Sequence, residues 1–159
     1  MEQNVDFAAK EVYDTLCGLL DHLEYKYERD DERLQIKCMC IGDDYPIDIR
    51  IRINQSLQII SLLSTIPIEV EEVKRPEMSC AVSAANYRMV DGSFDFDYLT
   101  GNMVFRMTSS YRDSMISEEL LAYMFFVSCH TVDEYNDKFV MLNQGELDLE
   151  SFIKYALES

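Results

Sequence analysis

The amino-acid sequence predicts an α+β domain in which a single antiparallel β-sheet is packed by helices. Two runs, Leu34-Ile36-Cys38-Cys40 and Ile47-Ile49-Ile51-Ile53, put an apolar residue at every second position, as half-buried antiparallel strands do. Segments 5–23 and 117–142 instead repeat apolar residues at helical spacing. Between them, Phe94-Phe96-Tyr98 and Met103-Phe105-Met107 flank a Gly-containing turn, the pattern of a closing hairpin. A chain of 159 residues can bury roughly 70% of its unfolded surface in one core, so residues 1–159 are expected to form one domain.

The first helix carries Val5, Ala9, Val12, Leu16, Leu19, Leu20 and Leu23 on one face. Asn4 is its expected N-cap, and it should stop near Glu24. Residues Tyr25 to Arg29 switch to strand-like alternation, and Asp30-Asp31-Glu32 turns the chain into the Leu34–Cys40 strand. Gly42 to Pro46 supplies the turn to the isoleucine strand, and Asn54-Gln55-Ser56 connects to a further run, Leu57 to Ser64, apolar on both faces. Pro67 ends that run, and Glu69, Glu71 and Glu72 make a solvated acidic connector.

Pro76 suits the first turn of a second helix, which buries Met78, Ala81, Val82, Ala85 and Met89, while small residues Ser79, Ser83 and Ala84 allow close approach to a sheet. If the hairpin turn centres on Thr100-Gly101, Phe96 faces Phe105 inside and Asp95 faces Arg106 outside. Ser117, followed by Glu118 and Glu119, caps a long third helix whose stripe is Leu120, Leu121, Met124, Phe125, Ser128, Tyr135, Phe139 and Leu142. Thr131-Val132-Asp133 is a point where it could bend or split. Asn143-Gln144-Gly145 stops it, and Asp148 opens a short terminal helix.

Acidic residues outnumber basic ones 30 to 14, a formal charge of −16. Phosphate binding draws on cationic side chains, so broad nucleic-acid and anionic-membrane binding are disfavoured. The opening Met-Glu-Gln-Asn lacks the basic start and apolar stretch of a secretory signal, and no apolar run approaches membrane-spanning length, so a cytoplasmic protein is expected. Five scattered cysteines fit a reducing compartment. Cys38 and Cys40 share a strand face and read as core residues; a metal there would need two further ligands, which neither His22 nor His130 supplies at zinc spacing.

Motifs for catalysis or cofactors are not found. The acids around Gly92 miss the first, third and twelfth positions of a calcium loop, where Tyr87, Met89 and Tyr98 would stand. The five glycines form no phosphate cradle. Cys129 and His130 point about 100° apart on a helix, which prevents the direct pairing that activates a thiol. No catalytic, cofactor or metal residue is therefore expected.

One binding constellation stands out. Alternation puts Lys37, Arg50 and Arg52 side by side on the sheet face away from the core, with Met39, Ile60 and Leu62 expected nearby and Asp48 among them. That face is either an ordinary outer surface with cross-strand ion pairs, one covered by the terminal helix, or a partner or dimer surface, where arginine is enriched.

The order helix, strands, helix, hairpin, helix, with Asn86-Tyr87, Asp91-Gly92-Ser93-Phe94-Asp95-Phe96-Asp97, a Thr100-Gly101 turn and Val104-Phe105-Arg106, resembles the YbjN-like domain family. Four strand-like runs before the second helix, rather than three, and the added terminal helix depart from the family's simplest pattern. The resemblance implies a fold similar to that of type III secretion chaperones and small, acidic, cytoplasmic bacterial proteins described as sensory transduction regulators. It carries over no functional residue. The resulting expectation is a non-enzymatic, chaperone-like, homodimeric binding protein that takes a protein or peptide partner. A regulator acting on a folded partner is the alternative, and an enzyme with a cleft of residues distant in sequence is the third.

Overall fold

A computed structural model describes residues 6–158. Helix α1 (Phe7–His22) leads into strands β1 (Tyr27–Asp30), β2 (Gln35–Ile41), β3 (Pro46–Asn54) and β4 (Ile59–Thr65). A single 3-10 turn precedes α2 (Arg75–Tyr87), followed by β5 (Ser93–Phe96), β6 (Met103–Ser110), α3 (Glu118–Gln144) and α4 (Leu149–Glu158). The six strands form one sheet in the order β1-β2-β3-β4-β6-β5, every pairing antiparallel. Helices α1 and α3 pack on its inner face, while α2 and α4 pack together at the β5 end. This is the α+β architecture that alternation and helical spacing predict.

Local chemistry sets the helix ends. The expected Asn4 cap and Val5 lie outside the described residues; Asp6 caps α1 by accepting from the Ala8 amide. The Asp6 amide donates in turn to Gln55, tying the helix to the β3–β4 connection. The Ser117 hydroxyl caps α3, and Gly145, at φ +80°, ends it in the left-handed conformation that costs glycine least. Asp148 accepts from the Ser151 amide to open α4. Helix α3 runs unbroken through Thr131-Val132-Asp133, because Val132 is fully buried and anchors the midpoint instead of bending it.

Two further expectations change. The hairpin pairs Phe94 with Phe105 and Phe96 with Met103, two residues away from the register drawn from a Thr100-Gly101 centre. The turn is longer because the Asp97 side chain accepts from the Leu99 and Thr100 amides while the Gly101 amide donates to the Asp97 carbonyl. A two-residue shift leaves each side chain on its face, so Phe94 and Phe105 still meet in the core, 5.1 Å apart edge to face. The small residues of α2 do not face the sheet. Ser79, Ser83 and Ala84, with Tyr87 of the same helix, border a groove closed by Leu157 of α4.

The core is continuous. Phe94, Tyr135, Phe139 and Phe152 form an aromatic cluster joining β5, α3 and α4. Where α3 crosses β4, the buried hydroxyls of Ser64 and Ser128 meet at 2.7 Å, each satisfying the other. Replacing Ser128 by Ala should cost about 1–2 kcal/mol, because Ser64 is then buried without a partner. The double variant Ser64→Ala/Ser128→Ala should recover part of that loss in urea unfolding.

Candidate functional site

Strand pairing sorts the side chains of β2, β3 and β4 between the two faces of the sheet. Ile36, Cys38 and Cys40 meet Ile51, Ile49 and Ile47 on the inner face. On the outer face Lys37 lies opposite Arg50, Gln35 opposite Arg52 and Met39 opposite Asp48. The expected cluster of Lys37, Met39, Arg50 and Arg52 is thus brought together, and all four are exposed.

Ile60 and Leu62 do not belong to it. They pair with Ile53 and Ile51 and lie in the core at 0% and 1% exposure. The run 57–64 is apolar at both parities, so its own pattern does not choose a face; the β3–β4 connection chooses. There Asn54 accepts from the Leu57 amide and Gln58 takes a positive φ of 53°, which sets Ile59, Ser61 and Leu63 outward instead.

Three residues that the alternation did not bring to this face also lie on it. Arg106 of β6 lies opposite Leu63, which itself lies opposite Arg50, so one row across four strands holds Lys37, Arg50 and Arg106 with Leu63 between the two arginines. Its outward direction is legible from the hairpin, but the adjacency of β4 and β6 is not a local property. Leu63 is half-buried, and Ile41, at the end of β2, is 97% exposed beside Met39 at 60%.

Charge on the face is only partly compensated. Arg106 grips Asp95 through two guanidinium nitrogens, the longer contact 3.1 Å, and that carboxylate holds it more firmly protonated. Arg50 lies 3.8 Å from Asp48. Lys37 and Arg52 make no ion pair among the described residues. A shallow cleft of about 370 Å³ opens at the β1 end, lined by Lys26, Tyr27, Glu28, Lys37, Met39 and Asp48. Helix α4 packs on α2 and α3 rather than over this face.

A second cleft, of about 260 Å³, lies between the end of α2, α3 and α4, with Arg88, Asp91, Tyr123 and Glu134 on its walls. Tyr123 donates to Asp91, which makes the phenol a weaker acid, and Arg88 donates to the Leu157 carbonyl. Tyr123, Asp91 and Arg88 are thus engaged with one another or with backbone, and the cleft walls carry Thr131 but no Ser or Cys. No helix among the described residues is long and apolar enough to cross a membrane.

The family model described as "Putative bacterial sensory transduction regulator", YbjN, matches residues 13–141. No curated protein sequence matches the chain. Among solved structures, YbjN from E. coli superposes with a TM-score of 0.59 at 17% identity, covering 85% of this chain and 93% of that one. The HopA1-SchA chaperone-effector complex gives 0.54 at 13% identity, over 85% and 97%. The ExsC-ExsE complex gives 0.54 at 15%, over 87% and 97%. At these identities the likeness is one of fold.

The two faces should respond oppositely to a buried charge. Ile60→Asp or Leu62→Asp should cost more than about 4 kcal/mol and leave little folded protein, whereas Met39→Asp or Ile41→Asp should stay within about 0.5 kcal/mol of the parent. Urea midpoints at unchanged slope provide the check.

Proposed function

This chain belongs to the YbjN family, and from that premise we propose that it is a non-enzymatic, chaperone-like protein-binding domain that captures a partner segment on the open face of its sheet. One observation carries the reading: in a chain of charge −16, exposed Met39 and Ile41 continue the outer row of β2 that holds Lys37, and Arg50 and Arg52 share that face on β3. Apolar contact would supply affinity and the arginines would orient the bound segment. The acidic remainder of the surface would speed encounter with partners carrying basic flanks and keep the loaded protein soluble.

The segment suited to this face is extended, since an exposed sheet offers side chains in rows at the strand period rather than a closed pocket. The fold supports the reading by analogy, because one of its structural relatives is a chaperone held with its effector. The family description favours a second reading, a regulator that docks a folded signalling partner on the same face. Recovery of an unfolded or secreted client would favour the first, and of a folded signalling component the second.

In this reading the protein works in the cytoplasm, a reducing compartment that suits a chain whose five cysteines are free thiols. It also works as a homodimer that leaves the sheet face free. Leu120, Tyr123 and Phe126, exposed along one side of α3, are the apolar surface we assign to the second copy. Light scattering should report about twice the 18.6 kDa chain mass, and Phe126→Glu should return the monomer.

Affinity recovery from native lysate, with mass spectrometry of what is retained, tests the capture face. The variant Met39→Asp/Arg50→Glu should lose its partner by about tenfold or more while its thermal midpoint stays put. Unchanged recovery by this variant would sink the assignment of the face.

A further inference from the structure

We infer that Cys40 and Cys129 form a thiol oxidation site, at which a peroxide joins the two sulfurs in a disulfide that pins helix α3 to strand β2. Their Sγ atoms lie 3.0 Å apart, although 89 residues separate them in sequence. That spacing is about 1 Å longer than a disulfide bond.

The approach is held from both sides. Phe125, Cys129 and Asp133 follow one another at four-residue steps along α3, so they stand in a row on one face of the helix. Phe125 packs edge to face on Tyr25, 4.9 Å between ring centres, and Asp133 accepts from the Asp43 amide at 2.8 Å. Gly42 lets the helix come this near: a Cβ there would stand 2.3 Å from an Asp133 oxygen and 2.6 Å from the Tyr45 carbonyl. The two thiols sit between these fixed contacts and have little room to separate.

The chemistry around the pair is unequal. Hydrogen bonding with Cys129, in which either sulfur can donate, and with Tyr25 favours the Cys40 thiolate and draws it below the ordinary thiol range. The same contact and burial push Cys129 up, and burial together with Cys40 pushes Tyr25 up to about 12. Cys129 is only partly buried, so the pair can be reached from its side. By contrast, burial pushes the Cys38 thiol up to about 12 and also raises Cys17, which keeps those two as thiols.

Oxidation proceeds in two balanced steps. A thiolate of the pair attacks one oxygen of hydrogen peroxide, the O–O bond breaks, and with a proton taken up the products are a sulfenic acid and water. The second thiol then attacks the sulfenyl sulfur, forming the S–S bond and releasing another water. Two thiols have lost two electrons and two protons, and the peroxide has been reduced to two waters. The bridge closes a long loop, so it should stabilise the fold and fix α3 against the sheet.

The test uses the whole reduced protein, treated with one equivalent of hydrogen peroxide, alkylated with N-ethylmaleimide under denaturing conditions and digested for mass spectrometry. The expected result is a linked peptide pair containing Cys40 and Cys129, lighter by two hydrogens, with Cys17, Cys38 and Cys80 alkylated. The thermal midpoint should rise by about 5–15 °C and return on adding dithiothreitol. Cys129→Ser should show neither the link nor the rise. Oxidation confined to exposed Cys80, or an equal rise in the Cys129→Ser variant, would overturn the inference. If that variant does not fold, the wild-type peptide map decides alone.

Discussion

The antiparallel pairing of β3 with β4 is the constraint on which the rest of the molecule depends. It sets Ile51 against Leu62 and Ile53 against Ile60, and so commits four isoleucines of β3 and two apolar residues of β4 to one side of the sheet. A slip of one residue would carry that set to the solvent and bring Arg50 and Arg52 into the core, where unpaired charge is not tolerated. The pairing is therefore strongly specified. The face that remains outside is a consequence of it: the same alternation that fills the core with isoleucine fills the far side with Lys37, Arg50, Arg52 and Met39.

Helix α3 completes what the sheet begins. It meets β4 through the Ser64–Ser128 pair, the β5 hairpin through Phe139 and Tyr135, and the β2 corner through Cys129 and Asp133. A helix of 27 residues anchored at three places along the sheet is a rigid spine. With α1 it covers the inner face, while α4 closes over α2, leaving the outer face without a helical cover. The resemblance in fold to structures solved as protein complexes covers 85–87% of this chain, and the docking reading rests on the side chains this chain places on its sheet.

Much of the fold was legible because its signals are local. Alternation in β2 and β3, the Ser117 cap, the Gly145 stop and the Asp148 start each follow from residues within a few positions, and they locate elements to within a residue or two. What stayed hidden depended on distance. Leu57 to Leu63 carries apolar side chains at both parities, so only its pairing with β3 reveals that Ile60 and Leu62 point inward and Leu63 outward. Arg106 was readable as an outward residue of a hairpin, but its place beside the Arg50 row needed the β4–β6 adjacency. Cys40 and Cys129 likewise read as separate core cysteines, since no local pattern brings position 129 to position 40. The hairpin register failed for a smaller reason, the Asp97 side chain that widens the turn.

The uneven charge of the chain now has a location. Acid dominates in turns, connectors and helix exteriors, while the outer sheet face gathers Lys37, Arg50, Arg52 and Arg106 around exposed apolar side chains. The outer face is open and the isoleucine face closed. Hydroxyl-radical footprinting of the free protein distinguishes the two faces, since side-chain oxidation follows solvent access. Met39 and Ile41 should be readily modified, with Ile60 and Leu62 untouched. Protection of Met39 together with modification of Ile60 or Leu62 would contradict this arrangement.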